Sequence, residues 1–224
     1  MNLNDERINQ TLEALHSRAR KQELRLVWEN LSQWPNVLMG RGVRWNDRSG
    51  EKLQNKFICV DPQQGQLLYM LARCARAQTI LEFGTSFGVS TIYLAAAVRD
   101  NGGGKVYGTE FEPTKAKEAK KHLEQAGLSE FVEIIEGDAR QTLKNFEAPI
   151  DFALIDGFPP YNLEILRLVQ NRIREGGIVL SDDIGLFKED LASYVAYMSE
   201  PSNGFRSAKL ELNGGTLLSV KTAA

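Results

Sequence analysis

The stretch "ILEFGTSFGVSTIYLAAA", residues 80–97, constrains the fold more than any other. Its β-branched, apolar start has the composition of a buried strand, and its alanine-rich end that of a helix. Gly84 and Gly88 punctuate the join. A strand that passes through a glycine turn directly into a helix opens a parallel α/β unit. The turn leaving the first strand of such a sheet lies where open α/β folds bind their ligands.

The rest of the chain extends this pattern. "DPQQGQLLYMLARCARA" reads as a helix ahead of the strand "TILEFG", and "SFGVSTIYLAAAVRD" as the helix after it. "GKVYGTEF" is the next strand. "PTKAKEAKKHLEQAGL" opens with Pro113 and closes with Gly127, the asymmetry expected of helix ends. "FVEIIEGDA", "IDFALIDG" and "GIVLSDDI" are further strands, with "YNLEILRLVQNRIREGG" read as a helix between the last two. In the tail "FRSAKLELNGGTLLSVK", two alternating runs flank Asn213-Gly214-Gly215, which predicts an antiparallel hairpin finishing the sheet. The expected fold is therefore α/β: a Rossmann-like, doubly wound, mostly parallel sheet with an antiparallel C-terminal hairpin and helices on both faces.

Domain organisation follows. Residues 60–224 are expected to form one globular domain, and residues 1–59 an N-terminal helical and cap segment. Ile8, Leu12 and Leu15 lie at helical spacing, so the N-terminal helix lays one face on the domain or on a second subunit. Residues 32–57 mix glycines, basic residues and two tryptophans without a period, as a loop or short cap over a site would.

Charge narrows the partners. With 27 basic and 29 acidic residues the net charge is −2, which gives no electrostatic footprint for nucleic acid or an anionic membrane. The basic cluster "KAKEAKKH" is interrupted by acid. A small molecule is the better-fitting partner. The N-terminus lacks a signal-peptide core, and no run of 18 uncharged apolar residues occurs. Cys59 and Cys74 show no metal or redox spacing. A cytoplasmic location is expected. His16 and His122, both on charged helices, are expected to be exposed. No Ser-His-Asp order, zinc spacing or Walker lysine points to another mechanism.

The glycine spacing Gly84-x-x-x-Gly88 lacks the middle glycine that a dinucleotide pyrophosphate needs, so a cofactor without phosphates fits better. Glu110, ending the second strand, can accept hydrogen bonds from both hydroxyls of an adenosine ribose. A nicotinamide-dependent oxidoreductase shares the sheet and the ribose acid but prefers GxGxxG. Each feature also has a plain structural reading, as a turn or as a solvated acid.

The segments "ILEFGTSFGVSTIYLA", "VYGTEFEP", "EIIEGDA", "IDFALIDG" and "GGIVLSDDI" resemble the class I S-adenosylmethionine-dependent methyltransferases. Within them, the likeness is to the small O-methyltransferases that include the catechol and caffeoyl-CoA enzymes. The resemblance implies S-adenosyl-L-methionine as cofactor. It places Gly84, Ser86 and Ser90 along its methionine part, Glu110 at the ribose and Ala139 with Arg140 at the adenine, with Glu82, Thr85, Gly88, Phe111, Asp138 and Asp156 as further cofactor-binding candidates. It also implies a homodimer.

Asp156, Asp182 and Asp183 end the fourth and fifth strands, so a parallel sheet brings all three to the cofactor edge. Three such oxygens suit Mg²⁺ or another divalent cation. In the resembled enzymes these positions bind the metal, with Asn where this chain has Asp183. The plain alternative is that one of the acids caps a helix near Lys188 or faces water. A lysine that helps deprotonate the substrate in those enzymes is replaced by Pro159, which can neither act as a base nor donate. Tyr161 and Lys188 are near but do not match the motif.

The expected activity is methyl transfer from S-adenosylmethionine to a hydroxyl of a small phenolic or catechol-like molecule, with Asp156, Asp182 and Asp183 as catalytic and metal-binding residues. Trp34, Trp45 and Phe158 are candidate walls for an aromatic substrate. Metal-independent or N-methyl transfer, or cofactor binding without turnover, are the alternatives.

Overall fold

The computed structural model describes residues 3, 5–29, 59–212 and 214–223. Trp34, Trp45 and the expected cap at residues 32–57 lie outside the described residues, as does Asn213.

Seven strands form one sheet: β1 (Thr79–Phe83), β2 (Lys105–Glu110), β3 (Val132–Glu136), β4 (Ile150–Ile155), β5 (Ile173–Ser181), β6 (Phe205–Leu210) and β7 (Thr216–Lys221). Their order is β3-β2-β1-β4-β5-β7-β6. The first five run parallel, and β7 pairs antiparallel with both β5 and β6. The order reverses at β1, which sits between β2 and β4. The crevice at that reversal is where an open α/β sheet takes its ligand.

Seven α-helices flank the sheet among the described residues: α1 (Glu6–Glu29), α2 (Pro62–Cys74), α3 (Val89–Asp100), α4 (Pro113–Gln125), α5 (Ala139–Thr142), α6 (Asn162–Val169) and α7 (Ala192–Ser199). Alternation along β1 sends Ile80 to one face and Leu81 and Phe83 to the other. On the first face Ile80, Phe152 and Leu154 pack under α1, α2 and α3; on the second, Leu81, Ala153 and Val179 pack under α6 and α7. Ile8, Leu12, Leu15 and Ala19 of α1 belong to the first core, so this helix buries its apolar stripe on its own chain.

Local chemistry explains the joints. Pro113 begins α4 with its φ already set for a helix, and Gly127 follows its end at φ +69°. At α2, Asp61 and Gln64 form a reciprocal capping box, each side chain accepting from the other's backbone N–H.

Two expectations need correction. The segment read as one helix, "YNLEILRLVQNRIREGG", is helical only to Val169, and β5 already begins at Ile173. Ile173 is buried and pairs with Ile150, and a register shift before Ile178 absorbs the intervening residues. Gly176, at φ +72°, is part of that irregularity, so the glycines that looked like a helix end lie inside a strand. The histidines are buried, not exposed. His16 Nε2 lies 3.1 Å from the Tyr93 hydroxyl, and His122 Nδ1 lies 2.8 Å from the Phe87 carbonyl. Each ties its helix to the core or to the glycine turn through a hydrogen-bonded partner.

Candidate active site

The glycine turn between β1 and α3 has no room for side chains where it meets β4. Gly84 has φ +100°, and a Cβ there would stand 2.5 Å from the Asp156 carbonyl and 2.7 Å from Gly157 Cα. Ser86 and Gly88 also adopt positive φ, 50° and 84°. This sharp turn leaves Gly88 as the N-terminal flank of α3, whose first backbone N–H groups have no intrahelical acceptors.

Buried hydroxyls brace the turn from below. Glu82 is fully buried, and its Oε2 accepts from Thr85 Oγ1 at 3.0 Å and from Thr91 Oγ1 at 2.5 Å. Glu82 Oε1 has no hydrogen-bond partner among the described residues. Burial raises the Glu82 pKa, while hydrogen bonds from Ser90, Thr91 and Thr85 oppose the rise. The side chains of Glu82, Thr85 and Ser90 are therefore engaged with one another, and the turn offers its ligand mainly backbone.

Glu110 closes the turn from β2. One carboxylate oxygen accepts the Ser86 N–H at 2.7 Å and the other the Glu112 N–H at 2.8 Å. With about four lone-pair sites on a carboxylate, two remain for the hydroxyls of a ligand. Phe111, directly after it, is 69% exposed, an unusual place for a phenyl ring without a partner surface. Asp138 caps the short α5 by accepting the Arg140 N–H, and also pairs with the Arg140 guanidinium at 2.7 Å. The guanidinium lies over the Tyr161 ring, 4.0 Å from its centroid. Ala139 is buried.

At the ends of β4 and β5 the three predicted aspartates converge. One carboxylate oxygen from each of Asp156, Asp182 and Asp183 lies within 4.8 Å of the others. Burial, followed by Asp182, Asp183 and Glu82, pushes the Asp156 pKa well above the carboxylate range. Asp182 is raised mainly by burial, against hydrogen bonds from the Asp183 backbone, Thr216 and Gln64. Burial and the Asp182 charge push Asp183 up to about 7. Three hard oxygen donors that resist ionising together form the donor set a small divalent cation takes, and such a cation would relieve their repulsion.

Asp183 sits at φ +57°, so the chain turns sharply after Asp182. Its carbonyl accepts the N–H groups of Leu186 and Phe187, while α7 starts only at Ala192. The hairpin turn latches this loop. Gly185 N–H donates to the Gly214 carbonyl at 2.7 Å and Ile184 N–H to that of Gly215 at 2.9 Å. Pro159, where a lysine would serve the resembled enzymes, is buried in a short 3₁₀ turn, Pro159–Tyr161. Phe158 packs against Tyr161 with ring centroids 4.8 Å apart.

The sequence reading missed Gln64 and Thr216, the side chains that hold Asp182. Gln64 Nε2 lies 2.8 and 2.7 Å from the two Asp182 oxygens, and Thr216 Oγ1 lies 3.1 Å from Oδ1. The Asp61-Pro62-x-Gln64 pattern signalled a capped helix start, but nothing local reveals a partner so far along the chain.

Residues 81–184 match the model of the methyltransferase domain family. A catechol O-methyltransferase of Niastella koreensis is 34% identical over 131 residues, covering 57% of this chain and 58% of the relative. The catechol O-methyltransferase of Mycobacterium tuberculosis is 33% identical over 128 residues, covering 57% of each. Among solved structures, cofactor-bound Rv0187 from MTB superposes with a TM-score of 0.67 at 28% identity, covering 73% of this chain and 82% of that one. The sheet order, the glycine turn and these matches define a class I S-adenosylmethionine-dependent methyltransferase fold. Within that class the chain is similar to catechol O-methyltransferases over the matched residues. It spans somewhat over half the length of the curated relatives it matches.

Proposed function

We propose that this protein transfers a methyl group from S-adenosylmethionine to a hydroxyl oxygen of a small phenolic or catechol-like molecule, with a divalent cation held by Asp156, Asp182 and Asp183. The carrying observation is contiguity: the Gly84 turn lies against the Asp156 backbone, so a cofactor on the turn and a substrate at the acids would be neighbours.

The geometry and the family resemblance together support the following roles. The backbone from Gly84 to Gly88 and the start of α3 would take the methionine part of the cofactor, and the free lone pairs of Glu110 the ribose hydroxyls. Phe111, Ala139 and Arg140 would border the adenine. Methyl transfer needs nucleophile, methyl carbon and sulfur in line at near-attack distance, so most of the catalytic demand is positioning. A divalent cation, when bound, lowers the pKa of a phenol from its usual value of about 10. Pro159 supplies no base, so the chain's contribution to deprotonation would be to hold the cation, whose charge offsets the acids' own opposition to a phenolate. Phe158 and Tyr161, next to those acids in sequence, are the described aromatic candidates for the substrate wall.

Residues 60–224 are read as the cofactor-binding domain, and the location as cytoplasmic. Two free cysteines support the location, and no described helix is long and apolar enough to cross a membrane. A homodimer rests on the family likeness alone, because the apolar stripe of α1 is already buried within the chain.

The test is calorimetry with S-adenosylhomocysteine, followed by transfer of a labelled methyl group to a catechol panel in Mg²⁺ or EDTA. Binding with Mg²⁺-dependent transfer is expected. No binding of S-adenosylhomocysteine removes the reading, and transfer that ignores EDTA removes the cation while keeping the methyltransferase.

A further inference from the structure

Gln64 reaches the acid cluster from the first turn of α2, and its amide is oriented without ambiguity. The Oε1 end accepts the Asp61 backbone N–H at 3.2 Å, which leaves Nε2 to face Asp182. Nε2 stands nearly equidistant from both carboxylate oxygens, at 2.8 and 2.7 Å. A single donor at that position lies between the two oxygens, on the side a chelating ion would use. Thr216 takes a further lone pair of Oδ1 at 3.1 Å, and the Asp183 backbone N–H also donates to this carboxylate. Gln64, Asp182 and Thr216 are all buried, so the contacts are sheltered from competing water.

We propose that Gln64, assisted by Thr216, is the positioning residue of the acid cluster: it blocks the chelating side of Asp182 and restricts that carboxylate to one oxygen toward a cation. The inference rests on the cation reading given above. Asp156 and Asp183 then have to supply the remaining protein oxygens, and coordination positions stay open for water or for substrate hydroxyls. The same side chain closes the capping box at Asp61, so the start of α2 and the cation cluster share one hydrogen-bonded unit. Partners of this kind, which orient a ligand without touching the metal, typically change metal affinity by about 10–100-fold when removed.

The test uses Mn²⁺ as probe, read by electron paramagnetic resonance on the full chain without substrate. Gln64→Met keeps the volume and removes the amide; Thr216→Val removes the second donor and keeps the strand. Asp156→Asn reports on the cation site itself. Gln64→Met should weaken Mn²⁺ binding about tenfold or more. It should also alter the bound-ion line shape, because one ligand has lost its fixed orientation. Thr216→Val should weaken binding severalfold, and S-adenosylhomocysteine affinity should stay unchanged in both variants. Wild-type Mn²⁺ affinity and line shape in both Gln64→Met and Thr216→Val, with weakened binding in Asp156→Asn, overturn the positioning role alone. Equal Mn²⁺ binding by the unmodified protein and Asp156→Asn overturns the cation reading, and this inference with it. Loss of S-adenosylhomocysteine binding in step with Mn²⁺ in both variants assigns Gln64 and Thr216 to general packing and also overturns the role.

Discussion

Replacing Asp183 by Asn should stabilise the metal-free protein at neutral and alkaline pH. The folded pKa of Asp183 is pushed up to about 7 by burial and by the Asp182 charge, against 3.8 for the unperturbed group. Between those values the folded chain holds a proton that the unfolded chain has released, so stability falls as pH rises through the interval. Each pH unit costs about 1.4 kcal/mol, which gives on the order of 4 kcal/mol once pH exceeds the folded value. This is a ceiling, because Asp156 and Asp182 share the repulsion and can take up part of the proton. Asn cannot ionise, matches the shape of the protonated acid and tolerates φ +57°. In EDTA, urea unfolding at pH 8 should show Asp183→Asn more stable by a few kcal/mol, with the two proteins converging only as pH falls to the unfolded value of 3.8. Added Mg²⁺ should narrow the gap by stabilising the unmodified protein more. A difference at pH 8 below about 1 kcal/mol, or one that does not change with pH, refutes the electrostatic argument.

Other expectations follow from the same geometry. Gly84→Ala would force a Cβ against the Asp156 carbonyl at φ +100°, at a cost of about 1–3 kcal/mol from backbone strain before the clash is counted; chemical denaturation should register it, together with lost S-adenosylhomocysteine binding. Glu110→Ala removes both the proposed ribose acceptor and the brace on Ser86, so calorimetry should show S-adenosylhomocysteine bound about 10–100-fold more weakly. His16 has its pKa lowered, chiefly by burial and then by Arg20, so its folded state prefers the neutral ring. Its contribution is present above the unfolded pKa of about 6.5 and is lost as pH falls through that region. His16→Gln, which keeps a polar partner for Tyr93, should flatten the urea-midpoint profile between pH 5.5 and 7.5, and an unchanged slope would exclude this role.

Features set by short-range chemistry were the legible ones. The strand, turn and helix around Gly84 follow from local composition, and so does α4 between Pro113 and Gly127. Because a parallel sheet brings its strand ends to one edge, Asp156, Asp182 and Asp183 could be assembled from strand positions alone. The start of β5 was hidden because an irregular pairing with β4 places glycines inside a strand, where they imitate a helix terminus. His122 was misjudged from the charge around it, although Ala116, Ala119 and Leu123 mark the buried side of the same helix. Gln64 was unreadable for a different reason. Its chemistry lies in a pairing with Asp182, 118 residues away, and no periodicity records such a contact.

The latch between the hairpin turn and the acid loop bears on the order of synthesis. Thr216 holds Asp182, the carbonyls of Gly214 and Gly215 hold the loop after Asp183, and β7 lies along β5. A nascent chain that has emerged only as far as Ser181 already has all five parallel strands and the whole cofactor turn. Its acids, however, cannot be set until the residues of β7 arrive. On the proposed function, cofactor capture during translation would precede assembly of the acid cluster, and a chain arrested before residue 214 is expected to bind S-adenosylhomocysteine while failing to hold Mn²⁺.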